Sequence, residues 1–192
     1  MNTRDFLTLL SVSLLWGASF LFLRLLVLDG LVPLQIVSIR MILAAVFIAP
    51  FFIRKMKKLS FYDHGFSFLL IGVLNTALPF TLFAYASVSL GAGSLSILQA
   101  TVPILTALIL FTLYKGEFSY FKLSGVMIGF AGLFLLVGPS GNLDLFASIL
   151  CVVASLSYAI AGVYLAKTPA RISNSFIGMG SIIVGAFLMA PF

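Results

Sequence analysis

Hydrophobic residues fall into seven long runs separated by short polar or glycine- and proline-containing connectors. The runs cover approximately residues 6–28, 33–53, 66–89, 92–114, 121–138, 143–166 and 173–192. A helix rises about 1.5 Å per residue, so a run of about 20 residues can cross a hydrocarbon core of roughly 30 Å. Lipid-exposed backbone must satisfy its hydrogen bonds internally, and continuous runs of this length are typical of helices rather than barrel strands. The pattern predicts an all-α, polytopic membrane helix bundle.

The composition agrees with this prediction and narrows the range of partners. Of the 192 residues, 62% are hydrophobic and 8% are charged, against about a quarter charged in soluble domains. The net charge of +6 comes from short connectors and forms no basic and aromatic face, so we expect the lipid bilayer and no nucleic acid as partner. The single Cys151 lies in an apolar run, which excludes an internal disulfide and leaves no cysteine cluster for a metal.

Basic residues indicate the orientation of the chain. If successive connectors alternate between the two sides of the membrane, nine of the 11 Lys and Arg residues fall on one side and none on the other. The remaining two, Arg24 and Arg40, lie within runs. Lys and Arg concentrate on the cytoplasmic side of membrane proteins. We therefore expect a multi-pass protein of the cell (plasma or inner) membrane with a cytoplasmic N-terminus.

Two pairs of segments suggest an internal repeat. Residues 44–51 (AAVFIAPF) resemble residues 185–192 (GAFLMAPF) at an offset of 141, and residues 15–19 resemble residues 157–161 at an offset of 142. A period near 141 contains five helices, and an odd number of spans inverts the second copy in the membrane. Inverted repeats support alternating access in many secondary transporters. We predict a first five-helix repeat over residues 1–141 and an incomplete second copy, with two helices, over residues 142–192.

Several short motifs, in order and spacing, resemble the EamA family of the drug/metabolite transporter superfamily. They are residues 15–20 (LWGASF), 38–40 (SIR), 100–103 (ATVP) and 116–117 (GE), followed by Gly125, Gly129 and Gly132. Members have ten spans, so the resemblance implies a chain truncated after about seven of them. It also implies that the complete protein transports small metabolites such as amino-acid or drug-like solutes, usually outward. The alternative is a membrane scaffold without transport activity, or an inactive fragment of such a transporter.

Enzyme activity, a metal and a cofactor are not expected. The only histidine, His64, lies in a basic connector and cannot partner a serine within the membrane. Every Asp and Glu falls at the end of a run or in a connector, so proton coupling through a buried carboxylate of these helices is not expected either. Three glycines, Gly125, Gly129 and Gly132, form a small-residue face that lets helices approach closely. We expect internal packing there, with a homodimer contact as the alternative.

The candidate substrate site follows from two prolines inside runs, Pro79 and Pro103. Each removes the hydrogen bond to the carbonyl four residues earlier and kinks its helix. Those carbonyls belong to Asn75 and Gln99, so a freed backbone oxygen and a side-chain amide coincide twice near the bilayer midplane. Either the two amides form a structural bond with each other, or both hydrogen-bond a small polar substrate.

Other side chains complete the predicted site. Trp16 and Tyr85 are candidate walls, and Tyr158 is the counterpart of Trp16 in the repeat; packing is the alternative role for Trp16 and Tyr158. Arg40 either clamps an anionic group of the substrate or binds backbone carbonyls. For Arg24, near the outer end of its run, we expect snorkelling to the interface.

Overall fold

The computed structural model describes residues 2–56, 65–113, 120–137, 144–167 and 174–192. The helices in these ranges are α1 (Thr3–Leu28), α2 (Pro33–Met56), α3 (Gly65–Gly72), a π-helical turn (Val73–Ala77), α4 (Leu78–Ala86), α5 (Ala92–Gln99), α6 (Val102–Leu113), α7 (Tyr120–Val137), α8 (Leu145–Lys167) and α9 (Asn174–Met189). No strand occurs in the described ranges. The predicted all-α fold is confirmed.

Within the described ranges, five helical stretches are long and apolar enough to cross a membrane. They are Thr3–Leu28, Pro33–Arg54, Gly65–Ala86, Ala92–Leu113 and Leu145–Lys167. A shorter apolar helix covers Ser175–Met189, and α7 occupies the predicted fifth run. The protein is a polytopic membrane helix bundle. Parts of several predicted connectors lie outside the described residues, including the part with His64 and the part with Lys115 and Glu117.

The third and fourth runs are both interrupted beside their internal prolines. In the third run the backbone widens into the π-helical turn immediately before Leu78 and Pro79. In the fourth, Ala100 and Thr101 separate α5 from α6, and Pro103 lies in the first turn of α6. Proline has no N–H to donate to the carbonyl one turn earlier, and its ring clashes with that carbonyl. The interruptions therefore lie where the regular ladder is weakest.

A tight turn connects α1 to α2. The N–H of Leu31 donates to the Leu26 carbonyl at 3.1 Å, and the N–H of Gly30 donates to the Val27 carbonyl at 3.1 Å. These two bonds form a Schellman motif, which requires a left-handed residue after the helix. Gly30 supplies it with φ of 91°. Pro33 then begins α2, where its fixed φ suits the first helical position.

The two helices nearest the C-terminus lie at the centre of the packing. α8 packs against α4 and α6, and α9 packs against α2 and α3, while α1 contacts α5. One apolar cluster joins α1, α2, α4 and α8 and includes Phe20, Met41, Phe83 and Cys151. A second cluster joins α2, α3, α8 and α9. Between them, these clusters fix the elements that border the candidate site.

Close helix contact in the second cluster depends on glycine. Phe68 lies over Gly180, where an added Cβ would come within 2.5 Å of the ring. The ring also packs edge-on against Phe52 and Phe176, at centroid distances of 5.8 and 5.4 Å. A Cβ on Gly72 of α3 would come within 2.7 Å of a methyl group of α9. Small residues let these membrane helices approach closely, and close approach strengthens the van der Waals packing that holds them together.

The structure gives Arg24 two specific partners. Its guanidinium donates hydrogen bonds to the carbonyls of Ser87 and Val88, the latter at 2.8 Å. These carbonyls follow the end of α4, where the last backbone acceptors of a helix have no helical donor. The side chain therefore reaches the outer end of α4 and binds protein carbonyls there, and these partners were not predictable from its position in the run. Snorkelling of Arg24 to the interface stays a prediction.

The glycine face of α7 also differs from expectation. A Cβ placed on Gly125, Gly129 or Gly132 would meet no described atom within 4 Å, and all three residues are exposed. The predicted internal packing of this face is absent from the described part of the chain. The homodimer contact stays a prediction.

Candidate functional site

Three neighbouring cavities, partly open to the surface of the described bundle, adjoin Trp16, whose side chain is 46% exposed. The first, of about 690 Å³, lies among α1, the π-helical turn, α5, α6 and α8. The second, of about 270 Å³, lies among α1, α2, α4, α5 and α8. The third, of about 540 Å³, lies among α1, α2, the π-helical turn, α4 and α9. Since the Trp16 side chain borders all three, this residue is the centre of the candidate site.

A hydrogen bond between α1 and α5 borders the first two cavities. The indole Nε1–H of Trp16 donates to Oε1 of Gln99 at 2.9 Å, and both residues line both cavities. Gln99 is the last residue of α5, directly before the interruption of the fourth run. An indole N–H in an apolar bundle requires a partner, and the amide of Gln99 provides it.

Asn75 lies in the π-helical turn and lines the first and third cavities. Its amide makes no hydrogen bond with Gln99, whose oxygen accepts from Trp16 instead. Among the described residues, no side-chain bond joins the amide of Asn75 to any partner. The amide is therefore available to hydrogen-bond a ligand in the cavities that Asn75 lines. The two amides were expected either to bond each other or to bond a substrate. The structure shows no hydrogen bond between them.

Arg40 lines the second and third cavities. Its guanidinium donates to the hydroxyl of Ser19 at 2.9 Å and lies 5.1 Å from the ring centroid of Phe80, within the range of a cation–π interaction. The hydrogen bond that the described residues provide therefore goes to a side-chain hydroxyl. The alternative of a bond to backbone carbonyls, left open for Arg40, is not realised in the described part of the chain.

Tyr158 of α8 lines the first and second cavities opposite Trp16. Its ring is nearly parallel to that of Phe83, with centroids 6.4 Å apart and an interplanar angle of 27°. Phe83 in turn meets Phe20 edge-on at 5.4 Å. These rings form an aromatic wall, so the site combines apolar surface with a small number of polar groups.

Tyr85 lies away from the other predicted site residues. Its side chain is 45% exposed and lines none of the three cavities described above. Phe83, Ala84 and Ala86 are buried, so α4 turns those neighbours inward and leaves Tyr85 on the opposite face. The structure therefore does not bring Tyr85 together with the other predicted site residues, and its role as a wall of the site stays a prediction.

Sequence reasoning did not identify two contributors, Ser19 and Phe80. Both contact the guanidinium of Arg40 and line the second cavity with it. Ser19 could have been found, because it lies three residues after Trp16 and therefore on the same side of α1. Phe80 is one of 20 phenylalanines, and nothing in the local pattern distinguishes it from the others.

The cavities have the chemical character of a small-molecule site. Ligand pockets are mostly apolar, with a few polar groups that fix orientation, and here those groups are the amides of Asn75 and Gln99, the phenol of Tyr158 and the guanidinium of Arg40. Among the described residues, no group of three or more His, Cys, Asp or Glu could hold a metal. A polytopic bundle with interrupted helices around such cavities is typical of a membrane transporter.

Comparison with known proteins identifies the family. Residues 4–138 match the model of the EamA-like transporter family. The chain belongs to this family, which confirms the resemblance found in the sequence motifs. The match points to a transporter rather than an enzyme.

Relatives of the chain are also named as transporters. The uncharacterized transporter YoaV of Bacillus subtilis is 25% identical over 97% of this chain and 65% of its own length. An uncharacterized transporter of Archaeoglobus fulgidus is 29% identical over 100% of this chain and 68% of its own length. The chain thus spans about two thirds of the length of these relatives. No solved structure matches the chain.

Proposed function

We propose that the protein is a secondary transporter that moves small metabolites out of the cell by alternating access, with the three cavities as its substrate site. Amino-acid and drug-like solutes are the proposed substrate classes. The observation that carries the proposal is the position of Trp16, Arg40, Asn75, Gln99 and Tyr158 around adjoining cavities inside a membrane bundle. These residues come from five separate elements.

The cost of polar groups within the membrane supports a functional role for this cluster. A polar side chain at membrane depth is unfavourable unless it finds partners or borders a cavity. Asn75 borders two cavities and has no side-chain partner in the described residues. Lipid contact would leave its amide unsatisfied, whereas a bound polar substrate would satisfy it. Asn75 therefore favours substrate binding over a purely structural site.

The interrupted helices support movement at the same place. Discontinuous helices near the midplane form the substrate sites of many transporters, and the repeats move around that site during alternating access. The π-helical turn contains Asn75, and α5 ends at Gln99, so each interruption carries a polar side chain into the first cavity. We propose that residues 1–141 and the segment that begins at residue 142 form the two inverted units of this movement.

Transport assays with the full-length protein test the proposal. Proteoliposomes are loaded with a panel of radiolabelled amino acids and organic acids, and efflux is compared with that from protein-free liposomes. For a transported solute, Asn75→Ala and Gln99→Ala should each raise the apparent KM roughly tenfold, because a lost hydrogen bond of about 1.4 kcal/mol corresponds to that factor.

Tyr85→Phe is the matched control, since Tyr85 lines none of the three cavities. Its apparent KM should equal that of the wild type. Unchanged KM values for both amide variants, with normal insertion, would place the substrate site elsewhere. Absence of efflux for every member of the panel would contradict transport of these solute classes.

A further inference from the structure

We propose that the second cavity binds a small organic anion, a carboxylate with an apolar body, through Arg40. This inference rests on the proposed function and specifies the substrate class of the same site. It starts from Arg40. Among the residues that line the three described cavities, Arg40 is the only one with a charged side chain at neutral pH.

The described residues do not compensate this charge. Arg40 contacts a neutral hydroxyl and an aromatic ring, and no Asp or Glu lines any of the three cavities. The described carboxylates, Asp5, Asp29 and Asp144, lie at the ends of spans. A positive charge at membrane depth is costly without a counter-ion, so an anionic ligand gains from entering this cavity.

The guanidinium also retains the hydrogen bonds needed for an oxyanion. It carries five N–H donors, and the side-chain bond that the structure gives it, to Ser19, uses one of them. The planar fork of arginine matches a carboxylate in a bidentate pair. Ser19 and Phe80 hold the group from two helices, α1 and α4, and so restrict its movement without neutralising it.

The apolar side chains that line the rest of the second cavity favour an apolar group at the end of the ligand away from its carboxylate. Leu15, Phe20, Leu23 and Phe83 line the second cavity together with Trp16. They offer apolar and aromatic contact and no acidic group that would accept an ammonium. The volume of about 270 Å³ is near the lower limit of ordinary ligand pockets, about 300 Å³. A compact anion with an apolar body therefore suits the cavity better than a cation or a large drug.

The test compares phenylacetate with phenylacetamide, which has a similar shape and no charge. Binding to the purified 192-residue chain in micelles is measured by equilibrium dialysis, and the emission of Trp16 reports where the ligand binds, because the chain has one Trp. We expect phenylacetate to bind with at least about tenfold higher affinity than the amide, or 1.4 kcal/mol, and to change Trp16 emission in the same concentration range.

Two variants test the role of the charge. Arg40→Gln should lower the affinity for phenylacetate about tenfold and make it equal to that for phenylacetamide, whereas Arg40→Lys should preserve part of the preference. Arg54→Gln is the control, because Arg54 lies at the exposed end of α2 and outside the cavities. It should bind both compounds as the wild type does.

Three results would overturn the inference. One is equal affinity of the wild type for phenylacetate and phenylacetamide, a comparison that remains valid even if Arg40→Gln fails to fold. Another is binding that leaves Trp16 emission unchanged. The third is inorganic phosphate binding as tightly as phenylacetate, which would deny the apolar part of the site. If any of these occurs while Asn75→Ala and Gln99→Ala still impair efflux, the anion inference fails and the proposed transport site survives.

Discussion

The close contact between α3 and α9 leads us to predict that Gly72→Ala destabilises the protein. The added methyl group would lie 2.7 Å from Cγ1 and 2.8 Å from Cβ of Val184, and 3.2 Å from the carbonyl oxygen of Ser181. Carbon atoms in favourable contact are about 3.5–4.0 Å apart. Because the Cβ of Val184 and the oxygen of Ser181 are fixed to the backbone of α9, relief requires the two helices to separate.

The size of the effect follows from two opposing contributions. Overpacking a fitted interface costs about 1–3 kcal/mol, and the rigid neighbours of Gly72 favour the upper part of that range. Alanine recovers up to about 1 kcal/mol in helix propensity relative to glycine. We therefore expect a net loss of about 1–2 kcal/mol, which for a chain of this size lowers Tm by about 2–8 °C.

Thermal unfolding in detergent micelles, followed by size-exclusion chromatography of heated samples, measures the shift. Gly162→Ala in α8 is the control, because its Cβ would meet no described atom within 4 Å and its position is exposed. That variant should keep or slightly raise Tm. If Gly72→Ala were as stable as Gly162→Ala, the close packing of α3 on α9 would be refuted.

Two further predictions concern the site and the orientation. A double-mutant cycle with Trp16→Phe and Gln99→Leu should give a coupling energy of about 0.6 kcal/mol, typical of hydrogen bonds within membranes; a coupling near zero would contradict the bond between the indole and the amide. In a Cys151→Ala background, Gly91→Cys should react with an impermeant thiol reagent in intact cells and Arg54→Cys should not. This is the orientation that the distribution of basic residues predicts. The reverse labelling pattern would show that the predicted orientation is wrong.

Local rules account for the features that the sequence predicted well. Length and hydropathy define a spanning helix, because the bilayer imposes its own thickness on each run. The interruptions beside Pro79 and Pro103 are equally local, since the lost hydrogen bond lies one turn away in the same helix. Asn75 and Gln99 could be assigned to those interruptions from the sequence alone, whereas the choice between a mutual bond and a shared cavity stayed open until their neighbours in space were known.

The features that sequence reasoning missed depend on contacts between distant helices. Tyr85 and Phe83 are both aromatic and only two residues apart, yet one is exposed and the other is buried. In a lipid-facing helix the hydrophobic pattern does not mark the inner side, because lipid tails and protein interior are similarly apolar. The partners of Arg24 could not be predicted either, since Ser87 and Val88 come from another run.

The two arginines within spans illustrate how partners decide a role. Arg24 binds carbonyls beyond the end of α4, so its charge satisfies acceptors that the helix leaves free. Arg40 contacts a neutral hydroxyl and an aromatic ring. The described residues therefore give its charge no counter-ion. Loss of Arg24 should therefore weaken the fold more than loss of the charge on Arg40.

Thermal unfolding of Arg24→Gln and Arg40→Gln tests this contrast. Arg24→Gln should lower Tm by several degrees, because two charge-assisted hydrogen bonds are worth roughly 1.5–3 kcal/mol each and glutamine replaces them incompletely. Arg40→Gln should lower Tm less, since the loss of one hydrogen bond and a cation–π contact is offset by removal of a charge without a counter-ion at membrane depth. A residue whose charge adds little to stability but is needed for ligand affinity belongs to a binding site. A loss of Tm for Arg40→Gln as large as that for Arg24→Gln would instead assign both arginines to the structural framework.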